Sequence, residues 1–396
     1  MEGLTRRSFL ARGSRGLGAL VLGGGVADVL AACSPAANAS ASQRSGRDAA
    51  LLASGDPISL DVLRARAQSE GGLNLTGISP AWAGYDQILL AYKRRYGLTP
   101  DFLRQSMYTP DQQIDAMVET RTGRGFVPDV ADLAQKFDMT AVDAGVAAPY
   151  RTSHWDEIPE TLKDTDGRWT GEYFGVMAFA VNTRRVSDPP RDWSDLMRPE
   201  LRGLVTTDGD PQYGTDALMA VWSAALANGG SAGNLRPGVE FFARLKRLGN
   251  YAEGQYSAEH LRTGRIAVAL TWDYLALALR DRYAGTTPIE VIIPRSASVG
   301  AFFAAMVNRY ATHPFAARLW IEHIFSDQAQ LDFLGAYYRP ARFAALDAAG
   351  KIPAALASKL PAASQYQNIT FVTGPQERAA VAQVLQLWMP LVRHQS

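Results

Sequence analysis

The chain has 396 residues, long enough that two domains are expected rather than one core. Apolar residues make up 47% and charged residues 20%, and a formal charge of +1 without any basic run argues against a nucleic-acid partner. A single cysteine, Cys33, excludes a disulfide framework and a cysteine metal site.

The N-terminus accounts for that cysteine. Thr5-Arg6-Arg7-Ser8-Phe9-Leu10 precedes a weakly apolar stretch, 17–30, too short and too rich in Gly to span a bilayer. The first segment resembles the twin-arginine export motif, and Leu30-Ala31-Ala32-Cys33 resembles a lipobox. Together they imply a signal peptide over 1–32, lipid attachment at Cys33 and an extracytoplasmic, membrane-anchored protein. Residues 33–55, rich in Ala, Ser and Gly, are expected to form a flexible tether. Without 1–32 the chain has 36 basic and 37 acidic residues.

From there the pattern is α/β. Asp56-Pro57 with Leu60, Leu63 and Ala67 predicts a capped helix, and 73–78 a strand. Ser79-Pro80 opens a helix expected to run to Tyr96 and stop at Gly97. A strand near 102–106, a helix from Pro110 to about Thr122 and a buried strand over 128–133 follow. This alternation implies a mostly parallel sheet with helices on both faces. After a helix expected around 155–163 comes Glu172-Tyr173-Phe174-Gly175-Val176-Met177-Ala178-Phe179-Ala180-Val181-Asn182, an apolar strand in which the chain is expected to cross between two lobes. Beyond it, strands are expected at 203–207, 266–271, 289–294 and 302–307. Helices are expected at 215–228, 234–248, 273–283, 313–325, 328–337 and 376–393.

Catalytic signals are missing. Gly229-Gly230-Ser231-Ala232-Gly233 matches G-x-S-x-G, but a helix precedes it and Pro237 follows, so it reads as a helix–helix loop. The five histidines lack metal-ligand spacing, and there is no G-x-x-x-x-G-K. No enzyme, cofactor or metal site is expected. What remains is a set of aromatic and polar residues at strand ends: Ser79 and Trp82, then Asp210 and Tyr213, then Trp272, Asp273 and Tyr274. In open α/β sheets ligands sit beyond the carboxyl ends of strands. Asp273 also suits a helix cap.

With these elements in place, the chain from Glu70 to Arg342 resembles the extracellular solute-binding proteins of ABC importers, the group serving iron(III), thiamine, polyamines and aminophosphonates. The resemblance rests on order and spacing: Glu70-Gly71-Gly72-Leu73-Asn74-Leu75, Pro128-Asp129-Val130, Tyr173-Phe174-Gly175, Trp193-Ser194-Asp195-Leu196, Arg202-Gly203-Leu204-Val205, Gly264-Arg265-Ile266-Ala267-Val268, Thr287-Pro288-Ile289-Glu290-Val291, His313-Pro314-Phe315-Ala316-Ala317 and Ser326-Asp327-Gln328-Ala329-Gln330. It implies a two-lobed periplasmic-binding-protein fold of the type II kind, with strand crossovers at the hinge. Lobe one would be 56–175 with 297–340, and lobe two 180–295 with 341–396. Crossings are expected near Gly175, Arg295 and Tyr338.

The resemblance further implies a monomer that binds a small solute and hands it to a permease and its ATPase. Its cleft would be lined by Ser79, Trp82 and Asp129 on one side and Asp210, Tyr213, Trp272, Asp273 and Tyr274 on the other. Aromatic faces beside carboxylates suit an organic cation such as a polyamine or a thiamine-like compound. The polyamine binders carry an acidic anchor where this chain has Phe302, Phe303 and Ala304. Tyr337-Tyr338 matches the adjacent tyrosines of iron binders but falls later in the chain, and reads as a core pair at a helix end. Iron(III) and aminophosphonate therefore stay open as alternatives, as do an exported enzyme or a ligand sensor on the same fold.

Overall fold

In the computed structural model, which describes residues 46–122 and 125–393, the strand expected at the lobe crossing organises the sheet. The strands are β1 (Leu73–Thr76), β2 (Leu103–Ser106), β3 (Val130–Ala134), β4 (Ala147–Ala148), β5 (Thr170–Asn182), β6 (Val205–Thr207), β7 (Val268–Trp272), β8 (Ile289–Ile292), β9 (Ser298–Asn308), β10 (Arg339–Pro340) and β11 (Ile369–Phe371). The main path through them is β2-β1-β3-β9-β5-β7-β6.

β5 belongs to both ends of this path. Its first part, Thr170 to Val176, pairs antiparallel with β9, and its second, from Met177, pairs antiparallel with β7 and β8. All of its 13 residues except Phe174 are buried, which is why it reads as an unbroken apolar run rather than an alternating one. The chain returns between β8, paired with the second part of β5, and β9, paired with β3. β10 then pairs with Tyr173 and Phe174, and the later residues Leu360 and Tyr366 pack against the β7–β8 core. The sheet thus has two halves, one around β1, β2, β3 and β9, the other around β6, β7 and β8.

Gly175 is fixed by packing at the crossing. A β-carbon there would lie 2.4 Å from Cε1 of Tyr274, too close for any side chain. Beside it, Asp273 Oδ1 accepts the Val176 N–H at 2.9 Å and Oδ2 accepts the Tyr366 hydroxyl at 3.0 Å. The Arg339 guanidinium lies between the rings of Phe343 and Tyr366, 3.6 and 3.7 Å from their centroids.

Three local differences from the expected elements matter for the site. The helix expected from Ser79 starts only at Tyr85, because Ala83 (φ 53°) and Gly84 (φ 78°) take left-handed conformations. The helix expected around 155–163 is two short 3-10 turns, Trp155–Glu157 and Glu160–Leu162, with Pro159 between them. An additional helix, Gln135–Asp143, follows β3 directly. The G-x-S-x-G segment is a helix–helix loop, closed by a Ser231–Asn234 bridge.

From Ala49 on, the described residues make one compact unit. Residues 46–54, within the expected tether, are helical, and Cys33 lies outside the described residues. Among the described residues no helix is long and apolar enough to cross a membrane.

Candidate functional site

The two halves of the sheet meet over a cavity of ≈ 550 Å³. Trp82 reaches it from the left-handed turn after β1, and its Nε1–H donates to the Tyr173 hydroxyl at 3.0 Å. Tyr173 comes from the first part of β5 and stacks on Phe303 of β9, with centroids 5.6 Å apart. Across the crossing, Trp272 ends β7 and Tyr274 lies in the first turn of the helix Asp273–Tyr283; their rings are parallel within 7° at 6.2 Å. Tyr274 in turn stacks on Tyr338 at 4.3 Å, and Trp82 meets the Tyr274 ring edge-on at 5.9 Å. The indole and phenol groups are therefore largely used on one another, and what they present to the cavity is ring faces and edges.

Charge enters at few points. Asp216, in the first turn of the helix Thr215–Ala227, lines the cavity, and its Oδ1 accepts the Trp272 Nε1–H at 2.7 Å. Burial raises this carboxyl above its ordinary range, against the Trp272 bond and the attraction of Lys136. Lys136 stands 3.4 Å from Glu377 and 3.3 Å from the Thr215 hydroxyl. Glu377 is likewise raised by burial and drawn back by Lys136. Asp208, behind Asp216, is raised to about 6 by burial and by the neighbouring Asp216 charge. With Lys136 matched to Glu377, Asp216 is the carboxylate on the wall without a cationic partner in contact among the described residues.

Behind the Trp82–Tyr173 wall lies a second acidic group, sealed from the cavity. The Tyr85 hydroxyl is 2.5 Å from Glu172 Oε2 and 3.1 Å from Asp132 Oδ2, and Tyr173 donates to Asp132 at 3.5 Å. One Tyr85 proton cannot serve two carboxylates, so the second contact requires a proton on a carboxyl group. Burial raises Asp132 to about 7 and Glu172 well above the carboxylate range, the latter also repelled by Asp132. Asp138 is fully buried without a hydrogen-bond partner and is raised well above its usual value by burial. Burial thus favours the protonated form of these groups.

Of the residues singled out in the sequence, Trp82, Trp272 and Tyr274 come together on the cavity wall. Asp273 lies just behind them, buried at the crossing and raised to about 6 by burial. The other four are not among the lining residues. Asp129 accepts the Asn74 and His313 backbone N–H groups at 2.8 and 2.9 Å and pairs with the His313 ring at 2.7 Å, so it ties β1 to the helix Pro314–Ile324. Asp210 pairs with Arg393 at 2.7 Å, Tyr213 is 83% exposed, and Ser79 accepts the Ala81 N–H at 3.3 Å in a turn.

Sequence reasoning missed Lys136, Tyr173, Asp216, Phe303, Tyr338 and Glu377, all on the wall. Asp216 had a signal, since it opens the helix after β6 only three residues beyond Tyr213. Tyr338, read as a core residue, is buried yet faces the cavity, whereas Tyr337 (φ 71°) turns away to Arg280 and Asp281. Among the described residues, no group of three or more His, Cys, Asp or Glu is placed to hold a metal ion.

Known proteins share this architecture. The spermidine/putrescine ABC transporter substrate-binding protein of Streptococcus pneumoniae superposes with a TM-score of 0.61 at 13% identity, covering 80% of this chain and 99% of that one. The apo ferric ion-binding protein A of Pasteurella haemolytica gives 0.61 at 15% identity, covering 82% and 100%. The fold is thus the two-lobed α/β fold of periplasmic binding proteins. An uncharacterized protein of Haemophilus influenzae is 23% identical over 299 residues, 69% of this chain and 80% of the relative. Residues 127–370 match the bacterial extracellular solute-binding proteins, and the chain belongs to that family, whose place of work is outside the cytoplasm.

Proposed function

We propose that this protein is the solute receptor of an ABC importer and that its solute is an organic cation carrying a single positive charge on an apolar body. The observation that carries this reading is Asp216, a half-sequestered carboxylate set among aromatic faces and, among the described residues, without a cationic partner in contact. A ring quadrupole attracts a cation and a carboxylate pairs with it, so both features favour the same ligand. One unmatched carboxylate suits one charge. A polyamine extended across the cavity would need a second at the far wall, and there the acids Asp132 and Glu172 stand behind Tyr173, off the lining. A thiamine-like cation therefore fits better than spermidine.

One observation favours a second reading. The helices Gln135–Asp143 and Thr215–Ala227 both begin at the cavity without side-chain caps, and Lys136 stands between them. Free N–H groups and a lysine would suit a phosphonate. Asp216 in the first turn of one of these helices opposes that choice.

In this reading lobe one comprises roughly 56–175 with 297–340 and lobe two 180–295 with 341–396. Cys33 carries the lipid that holds the protein at the membrane beside its permease and ATPase. Calorimetric titration of the mature protein with thiamine, spermidine, aminoethylphosphonate and ferric citrate tests the ligand class. Tightest binding of thiamine supports it, and tightest binding of the phosphonate or of iron overturns it. Mass spectrometry of the mature N-terminus tests the anchor, which an unmodified Cys33 would refute.

A further inference from the structure

One cavity-lining residue belongs to neither sheet half. Glu377 comes from the helix Gly374–Trp388, which starts just after β11 at a capping box of Thr373 and Gln376. The two ends of this helix grip different parts of the protein. Its C-terminal part is bound to the β6–β8 half. Gln383 accepts the Leu235 N–H at 2.9 Å and donates to the Gly233 carbonyl at 3.1 Å. Trp388 Nε1–H donates to Glu253 at 3.4 Å, and Arg393, one turn beyond, pairs with Glu253 and Asp210 at 2.7 Å each.

The N-terminal end makes its polar contacts across the cleft with one residue of the β1–β3 half, Lys136. Glu377 pairs with the Lys136 ammonium, and Arg378 donates to the Lys136 carbonyl at 3.5 Å. Gly374 lies so close that a β-carbon would be 2.5 Å from that same carbonyl oxygen. Lys136 also touches the Thr215 hydroxyl of the opposite half. A helix that follows β11, the partner of the first residues of β9, and whose C-terminal part is bound to the β6–β8 half thus grips Lys136 of the other half beside the cavity.

We propose that this C-terminal helix is a latch: it moves with the β6–β8 lobe and keeps the cleft closed by gripping Lys136. Opening then requires loss of the Lys136–Glu377 pair and of the Gly374 contact, while the strand crossings at Gly175 and between β8 and β9 stay intact. The grip pairs a buried Glu377 with a partly exposed Lys136, while Ala380, Val384 and Trp388 seat the rest of the helix in the apolar core, so the grip can be broken while that packing stays in place.

The inference is tested without any ligand. Spin labels on Asp61→Cys and Glu200→Cys, in a Cys33→Ser background, report the separation of the lobes by electron double resonance. The unaltered latch should give mostly the shorter distance. Lys136→Met and Glu377→Gln should each raise the ratio of longer to shorter distance roughly tenfold, with the melting temperature nearly unchanged. Gly374→Val should open the cleft by steric displacement, leaving the ion-pair residues in place. If a variant fails to fold, the same labels in otherwise unaltered protein, moved from about 0.01 M to 1 M salt, should show the shift, because screening weakens the pair. Distance distributions unchanged by the folded variants and by salt would overturn the latch.

Discussion

The two halves of the sheet handle carboxylates in opposite ways. Around β1, β3 and β9 the acids Asp132, Glu172 and Asp138 are sealed behind aromatic rings, where burial favours their protonated form. Around β6 and β7 the helix Thr215–Ala227 buries nine consecutive residues from Ala217 to Ala225, of which only Ser223 is polar. Of the acids of that half, Asp273 is buried at the crossing, whereas Asp216 is placed at the cavity wall. One half keeps these acids behind its aromatic rings, away from the cavity, and the other sets a carboxyl group on the cavity wall. A buried acid is therefore not evidence of a binding site; what counts is whether its partners lie inside the fold.

The largest effect should come from the seam that joins the halves. Gly175→Val would place its side chain inside the Tyr274 ring, and overpacking of this kind costs about 3 kcal/mol. Urea denaturation should show that loss, and a variant as stable as the parent would mean the halves are not locked there.

Next in size is the acidic group behind the rings. Tyr85→Phe removes the hydroxyl shared by Asp132 and Glu172 and leaves buried acceptors without a donor, a loss of about 2 kcal/mol. Solute affinity should change less than threefold, since Tyr85 is not on the cavity wall. A large loss of affinity with unchanged stability would erase the distinction between the halves.

The pH dependence sharpens the same contrast. Asp132 is raised to about 7 and Glu172 well above its ordinary range, so the native protein keeps protons that the unfolded chain releases near pH 4. The stability these protons confer is fully present below about pH 4 and is lost as pH rises through about 7. Asp132→Asn should flatten that slope in urea titrations between pH 4.5 and 7.5. An unchanged slope would place the responsible groups elsewhere.

The smallest effect is expected at Tyr213, which is almost fully exposed and off the wall. Tyr213→Ala should leave stability within about 0.5 kcal/mol, by thermal melts. It should leave solute affinity within about twofold, and a larger loss would mean that the bound solute reaches beyond the cavity described here.

The crossing in β5 was legible because a fully buried strand leaves an uninterrupted apolar run, and the glycine within it marked a close approach. Strand-end reasoning also found Trp82, Trp272 and Tyr274, since the chain emerges from β1 and β7 into the cleft. It could not tell which residue of a loop turns inward. After β6 it selected Asp210 and Tyr213, whereas Asp216, already in the helix, is the one on the wall. Lys136 was hidden because the helix Gln135–Asp143 starts directly from β3 with Ala134 as its uncapped N-terminus, leaving no start signal to read. Glu377 was invisible for a different reason. It lies on a late helix, 241 residues along the chain from Lys136, and nothing local to it announces that contact.

The most direct test of the account is calorimetry of the thiamine-like cation with the parent protein and with Asp216→Asn. Removing the charge while keeping the shape should weaken binding by tenfold or more, about 1.4 kcal/mol, and the urea stability should hold. Affinity within twofold of the parent would contradict the claim that Asp216 is the group the solute meets.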